Sequence, residues 1–333
     1  MQRPICLAPA SGAMPMALGI FALAAAPRLP ALGAVLPRIV AGFLVLLWVG
    51  MALAFVAQRE AGRQRFARDP VEGFAVGTWV AASAVTAELL LKALPSLRGL
   101  ALALGAAALL LWLWYSRLVV AGVRALVRTT PLSANGSVLL PAVATQSLLL
   151  FAAAAGRVPR GPAAAALALG YALYAIGLRF VVRRYRRQAH WGLARDWDDS
   201  NCIVHGALSI SGLAGIASAA APPASSVATW IAAALLLVIV EGLEFARMAQ
   251  RLRLFGLRRG VLVYYVPQWA RNFTLGMFYA FSAALQADPA ACAMLAALGL
   301  ARALAEIVAW GAWIVLLLLL AELGLLAADR FNA

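Results

Sequence analysis

The sequence predicts an all-α polytopic membrane protein, with ten transmembrane helices and the odd-numbered ones turned inward around a pore. Three observations predict it. Of the 333 residues, 64% are apolar and only 12% charged, a balance that belongs in lipid rather than water. Apolar runs long enough to cross a hydrocarbon core of about 30 Å recur along the chain, and their Ala-rich and Leu-rich composition means helices rather than barrel strands. The 28 basic residues, which set a formal net charge of +15, cluster between those runs, so they mark topology and not nucleic-acid binding.

The runs lie near 11–26, 38–57, 71–91, 99–119, 138–155, 163–182, 201–220, 226–246, 267–286 and 303–325, joined by short loops in a single membrane domain. The first needs separate argument. Arg3 followed by an apolar run ending in Ala24, Ala25 and Ala26 imitates a cleaved signal peptide, but Pro15 and Gly19 interrupt it, and the rest of the chain makes it a first spanning helix. Basic residues then set the orientation. Arg59, Arg63, Arg65 and Arg68, then Arg117, Arg124 and Arg128, then six between Arg179 and Arg195 and five between Arg247 and Arg259 fall in the loops that follow even spans. The opposite loops hold Arg28, Arg38, Lys92, Arg98, Arg157 and Arg160. The positive-inside rule places both termini in the cytoplasm, in an inner (plasma) membrane.

Each odd span carries Gly or Pro inside its apolar run, and the even spans are plainer. The series is Met14-Pro15-Met16-Ala17-Leu18-Gly19, Phe74-Ala75-Val76-Gly77-Thr78-Trp79, Leu140-Pro141 through Thr145-Gln146-Ser147, Ile203-Val204-His205-Gly206 through Gly215, and Phe273-Thr274-Leu275-Gly276-Met277. Helix-weakening residues free backbone polar groups, which is tolerated where a helix faces protein or a water-filled cavity. Gly19, Gly77, Thr78, Thr145, Gln146, Ser147, His205, Gly206, Ser209, Ser211, Thr274 and Gly276 are therefore the candidate pore lining. The competing reading is that the small residues only let helices pack closely.

The segments Phe74 to Trp79, Leu140 to Ser147, Ile203 to Gly215, and Tyr265-Val266-Pro267-Gln268-Trp269 followed by Phe273 to Met277 resemble the tellurite-resistance/dicarboxylate transporter family. That family includes plant slow-type anion channels, their bacterial homologues and fungal malate and sulfite transporters. The likeness covers nearly the whole chain, in order, with moderately specific motifs. It implies five helical hairpins in a ring with the odd helices inside, a homotrimer with one pore per subunit, and a pore-plugging phenylalanine, here Phe273. Where the family usually has Pro after that Phe, this chain has Thr274, which changes the local kink and the aim of the ring.

The function expected is passage of small inorganic or organic anions. The alternative is a proton-coupled carrier or exporter of C4-dicarboxylate, sulfite or tellurium oxyanions. Weak ligands suit a channel, because a fixed cation deep in a low-dielectric pore would hold an anion too tightly. Arg271 reads either as an anion-attracting mouth below Phe273 or as a side chain snorkelling to the interface. Intramembrane carboxylates are functional candidates by default, and Glu88, Glu241 and Glu244 are the residues a proton-coupled carrier would use. Arg302 and Glu306, four apart, could neutralise each other. A histidine such as His205 is more often structural than a pH sensor.

No cofactor, metal, nucleic acid or enzymatic activity is expected. Asp196, Asp198 and Asp199 beside Trp197 could hold Mg²⁺ and a diphosphate only with a second acidic cluster, which the sequence lacks, so a solvated loop is the expectation for them. Cys6, Cys202 and Cys292 have no metal-ligand spacing and read as small core residues.

Overall fold

The computed structural model describes residues 7–30, 32–58, 69–128, 133–156 and 158–332. The basic residues Arg59, Arg63, Arg65, Arg68 and Arg157, together with Arg3 and Cys6, lie outside the described residues. All regular structure among the described residues is helical. Eight helices are long and apolar enough to cross a membrane, or nine if the bent pair Val266–Gln286 and Pro289–Ala297, which meet at 96°, is one span. This is the architecture of a multi-pass membrane protein.

In chain order the helices are α1 (Ala13–Ile20), α2 (Leu36–Ala57), α3 (Pro70–Ala75), α4 (Gly77–Ala93), α5 (Arg98–Arg128), α6 (Leu140–Ala155) and α7 (Arg160–Arg187). They continue with the one-turn α8 (Leu193–Asp196), α9 (Ile203–Ala217), α10 (Pro223–Gly260), α11 (Trp269–Gln286), α12 (Pro289–Ala297) and α13 (Ala301–Asn332). The first apolar run differs most from a regular span. After α1 it loosens into a π turn at Phe21–Ala25 and tightens into a 3-10 turn at Ala26–Arg28, which makes a segment short for a bilayer.

Burial separates two kinds of helix. Within the most apolar window, 89% of the Val71–Ala93 residues are buried, 83% of Asp199–Ala217 and 72% of Gly136–Ala155, against 17% for Leu36–Ala57 and 33% or less for α5, α7, α10 and α13. The poorly buried helices present Leu46, Val56, Leu110, Val238, Phe245 and Leu317 to their surroundings. A belt of that size would aggregate in water and is stable against acyl chains. Helix contacts run from α1 to α4, α4 to α6, α6 to α9, α9 to α11 and α11 back to α1. On the outside, α2 covers α1 and α4, α5 covers α4 and α6, α7 covers α6 and α9, α10 covers α9 and α11, and α13 covers α11.

Apart from α1, the buried spans share one way of starting. A polar side chain satisfies a free amide just before the first turn. Asp69 accepts from Val71 N at 2.8 Å ahead of α3, Asn135 from Ser137 N at 3.0 Å ahead of α6, and Asp198 from Ser200 N at 2.9 Å ahead of α9. Ahead of α11, Gln268 Oε1 accepts from Tyr265 N at 2.9 Å. Short 3-10 turns at Gly136–Leu139, Asp199–Cys202 and Val266–Gln268 then lead into α6, α9 and α11.

Two expectations are corrected here. Gly and Pro do not kink these helices in mid-span: α9 runs unbroken through Gly206, Gly212 and Gly215, and Pro141 sits in the first turn of α6, where no intrahelical bond is lost. The first and third spans are the exceptions, the first loosening after Ile20 and the third interrupted at Val76 between α3 and α4. Many arginines assigned to loops also lie on helices, because α5, α7 and α10 continue beyond their apolar runs. Loss of hydropathy marks the edge of the membrane, not the end of the helix. α10 turns only at Gly256, whose φ of +71° is the left-handed conformation that glycine adopts without strain.

Candidate functional site

The candidate residues of the buried helices meet one another, but in tight packing. An added Cβ at Gly206 would overlap Thr274 of α11; at Gly19 it would strike Val85 of α4, and at Gly276 it would press on Ile20 of α1 at 2.8 Å. At Gly77 the neighbour is the Tyr115 hydroxyl of α5 at 2.6 Å, and that hydroxyl donates to Phe74 O at 2.7 Å. These glycines let helix axes approach, as the packing reading expected.

The hydroxyls are engaged as well. Thr145 donates to Pro141 O at 2.8 Å and accepts from Trp112 Nε1 at 3.0 Å. Ser147 donates to Val143 O, Ser209 to His205 O and Ser211 to Ala207 O, each one turn back, while Thr78 donates to Ala75 O and Thr274 to Arg271 O. Such bonds satisfy the group within its own helix and occupy the proton an anion would need. Gln146 turns outward: its Nε2 donates to Leu167 O of α7 at 3.2 Å, in the space left by Gly170. Phe273 is 1% exposed, inside the bundle on α11.

The concentrated chemistry lies beside Phe273, where α9 begins and α10, α11 and α13 pass. Arg271 neither snorkels nor stands free. Its Nε lies 3.2 Å from Glu241 Oε2 and its Nη2 3.2 Å from Glu244 Oε2. Arg247 joins the same Glu244 to Asp199: it lies 2.9 Å from Glu244 Oε1 and in ion-pair contact with Asp199. His205, fully buried, places Nε2 3.4 Å from Glu241 Oε1. Arg251 ties the turn after Gly256 to the cluster by donating from Nε to Gly260 O at 2.8 Å and from Nη1 to Ala194 O at 3.4 Å. Opposite charges at hydrogen-bonding distance offset the desolvation each would otherwise suffer.

All of these ionisable groups except His205 line one wall of a cavity of about 530 Å³ between α10, α11 and α13, with Asn272 and Glu322 beside them. Between the lining residues Val263 and Tyr265, Tyr264 accepts from Trp269 Nε1 at 2.9 Å, and burial pushes the Tyr264 hydroxyl above its ordinary pKa. A second cavity of about 570 Å³, between α2, α4 and α5, is almost wholly apolar and walled by Trp48, Phe55, Trp79 and Trp114.

The aspartates after Arg195 do not form a solvated loop. Asp196 accepts from Gly192 N at 2.6 Å, Asp198 from Asn135 Nδ2 at 3.1 Å, and Asp199 holds Arg247, while buried Trp197 packs on Tyr185 with ring centroids 5.2 Å apart. The hydrogen bonds that start α6 and α9 draw the segment in. Glu88 pairs with Lys92 at 2.7 Å. Arg302 and Glu306 are both exposed and form no ion pair among the described residues. Cys202 is buried and free, and Cys292 is free.

Sequence reasoning located Glu241, Glu244, Arg271 and His205 but passed over Arg247 as a loop cation, and over Asn272 and Glu322 altogether. Glu322 was discoverable: it is an acid inside the tenth apolar run, where an unpaired charge is costly. No protein-family model matches the chain, and a search of curated proteins finds no match.

Proposed function

We propose that this protein passes small anions across a membrane along the axis enclosed by α1, α4, α6, α9 and α11, with Phe273 as an apolar gate. The observation that carries the proposal is the closed circuit of contacts among those five buried helices, each covered by a plainer long helix later in the chain, α13 following α11 after the short α12. That circuit supports ten spans folded as five hairpins, counting the short α1 segment as the first and α11 as the ninth. The resemblance to the tellurite-resistance/dicarboxylate transporter family points the same way and brings a homotrimer with it; the distribution of basic residues supports an inner-membrane location with both termini cytoplasmic.

In this reading the structure is a closed state. The phenyl ring of Phe273 fills the path, and an apolar constriction excludes water as well as ions. Opening must also free hydroxyl protons of Thr145, Ser209 or Ser211 from their carbonyls, since an anion takes donors. Clustered arginines outside the apolar windows raise the local anion concentration. Phe273→Ala is expected to raise chloride or nitrate conductance in planar bilayers; unchanged currents from protein that elutes as wild type would sink the gate assignment.

A second reading, a proton-coupled carrier of C4-dicarboxylate, sulfite or tellurium oxyanions, is favoured by one observation. Glu241 is shared between Arg271 and His205 inside the bundle, an arrangement whose charge changes with one proton. Reversal potentials separate the two. A channel follows the anion gradient alone, and a coupled carrier shifts with an imposed proton gradient.

A further inference from the structure

The cavity between α10, α11 and α13 carries an imbalance that the ion pairs do not remove. Its wall holds four carboxylates, Asp199, Glu241, Glu244 and Glu322, and three guanidiniums, Arg247, Arg251 and Arg271. Asp199, Glu241 and Glu244 are each held by Arg247 or Arg271. Glu322 is not. It projects from α13 at 6% exposure, forms no salt bridge with a described residue, and its Oε1 accepts no hydrogen bond from one. On the facing α11, Asn272 is 4% exposed and its Oδ1 is likewise without a donor.

Two buried acceptors without a partner, one of them the carboxyl group in excess of the guanidiniums, thus face the same space. Buried polar groups are ordinarily matched, and buried carboxylates almost always. The complement of this wall is a cation that donates hydrogen bonds. The remaining lining includes Leu237, Phe245, Leu275, Ile314 and Leu318, a hydrocarbon surface. The volume is that of a small-molecule site. A quaternary ammonium has no N–H to donate, and a carboxylate or phosphate would add to the surplus charge.

We propose that this cavity binds a protonated primary amine with an apolar body, its ammonium donating to Glu322 and Asn272 and its hydrocarbon lying between α10 and α13. The site shares Arg271 and Glu241 with the cluster beside Phe273, but its ligand is held by Glu322 and Asn272. Binding is read on purified protein without any transport measurement, so either proposal can fail while the other stands.

The test uses the full chain in phosphatidylcholine nanodiscs, whose head group carries no N–H, titrated with n-hexylamine and followed by thermal stability and calorimetry. Saturable stabilisation by n-hexylamine is expected, with none from n-hexanol or hexanoate at equal concentration. Equal shifts from all three would overturn the proposal. Glu322→Gln is expected to weaken binding at least tenfold, and undiminished affinity would overturn it. Should Glu322→Gln fail to fold, Leu318→Trp, which fills the cavity from α13 and leaves the carboxylate in place, must abolish the saturable shift; persistence would refute the site. Replacing the lipid with phosphatidylethanolamine distinguishes the source of the amine: a lipid head group in the site lowers the apparent affinity for hexylamine, and a free-amine site leaves it unchanged.

Discussion

The glycines of α9 and three of those on the outer helices α2, α10 and α13 are the same residue in opposite surroundings. At Gly206 an added Cβ would overlap Thr274, and at Gly212 the ring of Phe281, whereas Gly50 on α2, Gly242 on α10 and Gly324 on α13 have no atom within 4 Å of that position. Charged side chains divide by position along a helix, even among the buried helices. Arg271, on a buried helix, is held by two carboxylates, while Lys92, at the end of α4 with its side chain 57% exposed, makes one pair along its own helix. Composition alone therefore does not make a helix an inner one. A small or charged residue marks the interior only where a partner from another helix meets it.

Three substitutions break or sharpen that contrast. The largest effect is expected from Arg271→Met, which leaves Glu241 and Glu244 short of a partner and should lower unfolding free energy by about 3–5 kcal/mol. Steric-trapping or denaturant unfolding in bicelles would measure it, and adding Glu241→Gln and Glu244→Gln should recover part of the loss. A loss below about 1 kcal/mol would mean that water reaches the network freely.

Next in size is Gly206→Leu. Forcing a side chain between α9 and α11 is expected to cost about 1–3 kcal/mol, while Gly50→Leu on the lipid side should stay within about 0.5 kcal/mol of wild type. Equal effects at the two positions, in paired thermal melts, would remove the distinction between inner and outer glycines. The smallest change belongs to Lys92→Ala, where an exposed pair is expected to contribute about 0.5 kcal/mol or less, falling further as salt is raised. A larger, salt-insensitive loss would show that this end of α4 is buried in the assembly.

How far the sequence could be read depended on the kind of signal. Apolar runs placed nearly every helix, because lipid demands a fixed length of hydrocarbon whatever surrounds it. Helix ends were less legible. α7 and α10 carry Arg183 to Arg187 and Arg247 to Arg253 on helical backbone that continues past the apolar run, since charge ends the membrane contact and not the hydrogen-bond ladder. The candidate site was half legible. Glu241 and Glu244 stood out as acids within span eight, but their partners Arg271, Arg247 and His205 come from other helices or from the next turn, and only packing brings them together.

By itself the amino-acid sequence determined the solvent of this protein, the helical class, the approximate number of spans and which ones carry small and polar residues. Each of these follows from the transfer free energy of a segment, a property that is local and additive. Tertiary structure decided which face of each helix is inward, that Gln146 turns to α7 and Thr145 to Trp112, and that Glu322 is left without a salt bridge to a described residue beside the ion-paired cluster. Those outcomes depend on distances between residues far apart in the chain, and no local sum contains them.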